Sequence, residues 1–212
     1  MSPMEPGWQL GAPSHRSQPL RAQLSWCAPV LDLHPHAAAD VYLARRRELG
    51  AQEVTRRLLV ASGIGWFLVE TGYRAGEILG PVEMATAASA TAAEIVRLES
   101  VAEQAAVSGV YSAGFAGRFA SVREDRARHA VGLKSVIAYR FGLDFDPEPP
   151  TAGEVCRAAG QWLRRADSGE PRLTDSVLVR HLLWVSLDHG LPLQFHVGYG
   201  DPDLTCTAAT RR

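Results

Sequence analysis

Four short apolar runs, each separated from the next by a stretch with helical spacing, constrain this chain most. Trp66-Phe-Leu-Val-Glu70 is bounded by glycines and reads as a fully buried strand. Ile95-Val-Arg-Leu-Glu99 is β-branched and alternating, which favours a strand over 94–99. Thr91-Ala-Ala-Glu94 just before it has the form of a helix capping box and argues the other way. Val131-Gly-Leu-Lys-Ser-Val-Ile-Ala-Tyr139 is the third run, and the fourth strand covers 192–197. Strand and helix alternating in this way mark an α/β fold with a parallel sheet.

The intervening segments read as helices. Asp40 is placed to cap a helix over 41–49 that Gly50 ends, and a second helix follows over 51–62. Further helices are expected around 80–90, from about 100, and over 112–128. The last of these ends in Arg123-Glu-Asp-Arg-Ala-Arg128, a solvated helix end or, on a functional reading, a docking patch. Thr151-Ala-Gly-Glu154 is a capping box ahead of Val155, Ala158, Ala159 and Trp162 at helical spacing. Thr174 opens one more helix, stopped by Gly190. Residues 1–26, rich in Pro, Gly, Ser, Gln and Arg, are expected to form an irregular arm, and 205–212 a short tail.

Bulk composition excludes several function classes. A net charge of -1 gives no electrostatic case for nucleic acid or an anionic membrane. Leu58 to Val69, the longest apolar stretch, falls short of the roughly 20 residues that span a bilayer. Cys27, Cys156 and Cys206 are scattered and form no C-x-x-C pair, which argues against a zinc module and for a reducing compartment. Without a basic region followed by an apolar run at the N-terminus, a cytoplasmic location is expected.

The last strand carries the strongest chemical signal. Leu191-Pro-Leu-Gln-Phe-His-Val-Gly-Tyr-Gly-Asp201 ends on a histidine and breaks into a glycine-rich turn. Alternation puts Gln194 and His196 on one face, and a polar face on a buried strand needs a cavity or a barrel mouth. His196 is therefore a candidate metal ligand, or a histidine hydrogen-bonded within the mouth. Glu70, Glu99, Lys134 with Tyr139 and Arg140, and His196 all lie at or near strand ends, as in a site collected at one rim. Lys134 sits on an otherwise apolar strand, so it is modified, holds a substrate anion, or is paired with Glu99 or Glu70. His34-Pro-His36 has the H-x-H form of a metal-binding strand, but Pro35 removes a ladder donor and a surface loop is favoured.

Three stretches resemble the amidohydrolase-related family, metal-dependent hydrolases on a TIM barrel. They are Trp26-Cys-Ala-Pro-Val-Leu-Asp-Leu33 leading to Tyr42-Leu-Ala-Arg-Arg46, then Gly132 to Leu143, then Leu191 to Asp203. The resemblance covers nearly all of residues 24–204. It implies a partial (β/α) TIM-type barrel over 27–204 with about four parallel strands. It places Lys134 as a fourth-strand residue that bridges a metal or binds an anion, and His196 as a fifth-strand ligand of a divalent metal, zinc. Glu70, Glu99, Tyr139 and Arg140 would shape a pocket for a small-molecule substrate hydrolysed at an amide, ester or carboxyl-linked carbon. The sequence departs from the family at both ends. The family's first-strand H-x-H falls where this chain has its arm, and strands six to eight, with a further histidine and an aspartate, have no counterpart. The chain therefore reads as truncated, with weak or no activity, or as a non-catalytic remnant or interaction module. Its unpaired strand edges are a liability for aggregation, and a homo-oligomer is left open.

Overall fold

The computed structural model describes residues 17–143, 145–166 and 172–197, and contacts divide the chain at Gly65 into a helical unit and an α/β unit. In the helical unit, α1 (Ser17–Val30) precedes α2 (Ala39–Ala61). Leu24, Ala28 and Leu31 of the first segment, at helical spacing, bury against Tyr42 and Val54 of α2. An irregular arm was expected over 1–26; residues 17–26 of it are helical, α1 beginning at Ser17, and residues 1–16 lie outside the described residues. Gly50 interrupts α2 with φ 77° and ψ 159°, as its sequence position predicts. Asp40 is not the cap: the helix starts after Ala38 without a side-chain cap, and Asp40 lies in the first turn, where a carboxylate suits the helix dipole.

His34 and His36 sit in the turn between these helices, in agreement with the loop reading. Asp32, at φ 64°, accepts hydrogen bonds from Arg45 (2.8 Å) and Arg57 (2.6 Å). The two guanidinium groups hold its carboxyl below the usual range. They lie on opposite sides of Gly50, so one exposed carboxylate ties both segments of α2 to the end of α1.

The α/β unit contains β1 (Trp66–Glu70), α3 (Pro81–Ala88, whose last residues group with the helical unit), β2 (Thr91–Arg97), α4 (Leu98–Val107) and α5 (Phe115–Ala127). There follow β3 (Gly132–Ser135), α6 (Ile137–Phe141), α7 (Ala152–Ala166), α8 (Ser176–Leu187) and β4 (Leu193–Phe195). The strands pair in the order β1-β2-β3-β4, all parallel, in a sheet curled into a half-barrel. The core lies on the helix-covered face, where Val96 and Leu133 meet Val101, Phe115, Phe119, Leu178 and Leu182. Phe115 packs edge-on to Trp162 at 5.6 Å, and the Trp162 indole donates to the Arg172 carbonyl.

Three local readings change. Thr91 to Glu94 is strand, because all four residues pair in register with Trp66 to Val69 of β1, and Glu94 receives Arg126 of α5 at 3.1 Å. The run read as one strand to Tyr139 stops at Ser135 and turns into α6. Arg123, read as part of a solvated helix end or a docking patch, is buried and donates to the Val185 carbonyl, joining α5 to α8. Thr151 and Glu154 do form the reciprocal box, while the cap of α8 is Asp175, one residue later than expected.

Candidate rim site at the strand ends

Parallel register decides which side chains meet. Arg97 of β2 is level with Lys134 of β3, which is level with Gln194 of β4. Strands stand about 4.8 Å apart, so three polar side chains line up across the face away from the core. His196 follows β4 and continues the ladder, its N–H donating to the Ser135 carbonyl at 2.9 Å. By alternation it shares the face of Gln194 and Lys134. Glu70 ends β1 on the same face and accepts from the Gly72 N–H.

Glu99 supports this row from behind. It lies in the first turn of α4 and is fully buried. Its Oε1 accepts from the Ser135 hydroxyl (2.7 Å) and the Val136 N–H (2.9 Å). Its Oε2 lies 3.7 Å from Arg97 Nε, an ion pair too long for a hydrogen bond. The Arg97 guanidinium also stacks over the Tyr73 ring at 5.9 Å. Gly72 sits close beneath: an added Cβ would collide with the Ser100 hydroxyl and lie 2.8 Å from Arg97 Cβ. The loop after β1 can pass Arg97 this closely only with glycine there.

The expected pocket residues thus separate into two groups. Lys134, Glu70 and His196 stand at the rim, with Gln194 and Arg97 beside them. Glu99, expected to shape the substrate pocket, is fully buried, and its Oε1 holds the β3–α6 turn. Arg140 was expected beside it; its guanidinium donates to the Leu173 carbonyl and pairs with Glu103 at 3.8 Å, tying α6 to the segment before α8. Burial holds Arg140 below the usual arginine value, with Glu99 and Glu103 opposing that shift. Tyr139 lies in α6, and its side chain is outside the described residues, as are Gly198 to Asp203. The alternative partners for Lys134, Glu99 and Glu70, are engaged instead with Arg97 and Gly72 respectively. Sequence reading passed over Arg97, whose place beside Lys134 appears only once the register is known.

A hydrolytic metal centre needs about three protein donors. Among the described residues no group of three His, Cys, Asp or Glu side chains could hold a metal ion. His196 alone does not make a donor set, so the described rim does not fit a closed metal site. It can do something simpler: an ammonium, a guanidinium and an amide in one row can orient an anionic group above the strand ends.

No protein-family model and no curated protein matches the chain. Among solved structures it is similar to a crystal structure from Lactobacillus casei ATCC 334 named "putative metal-dependent hydrolase". Identity is 28% and the TM-score is 0.68, over 89% of this chain and 50% of that one. The chain spans half the length of that structure. The likeness is to a protein named as a hydrolase with a metal cofactor. No described helix is long and apolar enough to cross a membrane.

Proposed function

We propose that the chain is an amidohydrolase-like half-barrel of a metal-dependent hydrolase. It would act on an amide, ester or carboxyl-linked carbon of a small molecule, weakly or not at all in the form described. The observation that carries this reading is the Arg97–Lys134–Gln194 row beside His196, at the C-terminal ends of four parallel strands. That end is where barrels of this kind keep their chemistry. In this reading Lys134 and Arg97 hold an anionic part of the substrate and Gln194 hydrogen-bonds it. His196 is a metal donor, with zinc the expected ion, and Glu70 forms the wall on the β1 side. The small-molecule substrate and cytoplasmic setting belong to the same proposal.

Weak activity is expected because the described residues hold no three-donor cluster, and metal catalysis depends on fixed coordination and a shaped, dry cavity. The test is an assay of the purified chain with zinc or manganese against a panel of amides, esters and carboxylic acids, beside His196→Ala. Turnover at blank level is expected for both. Turnover that needs both the metal and His196 would overturn the claim of weak activity.

A further inference from the structure

The outer flank of α7 carries a recess that the rim does not use. α7 turns Val155, Ala158, Ala159 and Trp162 into the core. The neighbouring stripe, Gly153, Cys156, Arg157, Gly160, Gln161 and Arg164, recurs at helical spacing and borders Ser112 in the short turn before α5. Two glycines leave that stripe partly bare. An added Cβ at Gly160 would stand 3.4 Å from Ser112 Cβ and 3.6 Å from Arg164 Nη1, and at Gly153 it would meet nothing within 4 Å. The recess so formed holds about 550 Å³, within the range of about 300–1,000 Å³ usual for small-molecule sites. It belongs to the helix layer, whereas Lys134 and Gln194 stand on the opposite face of the sheet.

Among the described residues its lining is cationic, with no acidic member. Arg157 and Arg164 are two turns apart on one face of α7, about 10 Å along its axis. Neither makes an ion pair or a hydrogen bond among the described residues. Glu154, three residues before Arg157, is taken up by Thr151, whose N–H donates to it at 2.8 Å and whose hydroxyl donates at 2.7 Å. The Cys156 thiol donates to Ser112 Oγ at 3.9 Å, which leaves the Ser112 hydroxyl proton available to a ligand.

We infer that this recess is a binding site for a small phosphate monoester. Charge selects the phosphate. Two guanidinium groups without counter-charge match a dianion, whereas a single carboxylate would leave one of them unmatched. Arginine forks also take phosphate oxygens two at a time, and Ser112 and Gln161 add neutral donors. Volume selects the remainder: 550 Å³ is more than an inorganic phosphate fills, so the phosphate arrives on a carrier of about sugar size. The site is separate from the rim and stands whether or not the chain proves to be a hydrolase.

Calorimetry of the full chain with glucose 6-phosphate at low salt tests it. Binding is expected, tighter than that of inorganic phosphate and tighter than that of glucuronate, a similar ring with a single negative charge. Arg157→Gln and Arg164→Gln should each weaken it about tenfold, the loss of one charge-assisted hydrogen bond. Gly160→Leu fills the recess from the helix side and should abolish binding with an unchanged circular dichroism spectrum. Should that variant fail to fold, the two arginine variants carry the test. Lys134→Met should leave this binding in place, which separates the recess from the rim. Absence of glucose 6-phosphate binding at about 10 mM would overturn the inference. So would inorganic phosphate or glucuronate binding as tightly, binding indifferent to both arginines, or binding lost with Lys134→Met.

Discussion

Replacing Glu99 by alanine tests how the rim is held. The change would leave the Ser135 hydroxyl and the Val136 N–H without their shared acceptor, at a site with no solvent access. It would also leave Arg97, whose side chain is only 12% exposed, without its counter-charge. Hydrogen bonds to a charged group contribute about 1.5–3 kcal/mol each, and breaking a buried pair costs about 3–5 kcal/mol. The three interactions share one carboxylate and are not additive, so a loss of about 3–5 kcal/mol is expected. With a urea slope near 2 kcal/mol/M, the unfolding midpoint should fall by roughly 2 M. Glu99→Gln keeps an oxygen for Ser135 and Val136 and loses the charge facing Arg97; because that pair is long at 3.7 Å and Arg97 keeps its contact with the Tyr73 ring, the loss should be smaller than for alanine. Urea unfolding followed by circular dichroism at constant slope reads both. An alanine variant within about 1 kcal/mol of wild type, or a glutamine variant as damaged as the alanine one, would refute the support role assigned to Glu99.

Other consequences can be measured on the same protein. Gly72→Ala should destabilise by about 1–3 kcal/mol, since its Cβ meets Arg97 Cβ, which cannot swing away as Ser100 can; a thermal melt within error of wild type would contradict the close approach. His181 lies on α8 with its ring 6.4 Å from Phe119, and burial lowers its pKa from the ordinary value near 6.5. The unfolded chain then binds a proton more readily than the folded one, so stability is full above about pH 6.5 and declines as pH falls below it. His181→Phe should flatten that decline in urea midpoints between about pH 7 and pH 5, and an unchanged slope would rule out His181 as its source. Arg123→Met should lower the urea midpoint while leaving the mass unchanged, because the guanidinium joins α5 to α8 and is not a docking group.

The positions of all four strands are legible in the sequence because each is a short apolar run bounded by glycine, proline or a helix signal. The caps at Thr151 and the break at Gly50 are legible because their chemistry is local. What escapes is long-range. Val131 to Tyr139 reads as one strand by composition, yet it ends at Ser135. Glu99, far away in sequence, accepts from Ser135 and Val136, and Ser135 Oγ in turn accepts from the Ile137 N–H at 3.2 Å. Those bonds start α6, and nothing within the segment announces them. Arg97 escapes for a related reason. One charged residue in an alternating run has no evident partner until β2 and β3 are aligned, when it falls level with Lys134. Among the candidate residues, Lys134, Glu70 and His196 are found at the rim by their strand-end positions alone, whereas Glu99 and Arg140 share that sequence signature but are drawn into buried contacts.

Zinc titration by calorimetry, on wild type and His196→Ala at matched concentration, tests the central reading most directly. The account predicts weak binding in wild type, because one imidazole is a poor donor set, and its loss in the variant. Tight binding of one zinc per chain would contradict the incomplete site, and binding indifferent to His196 would contradict its place as the metal donor of this rim.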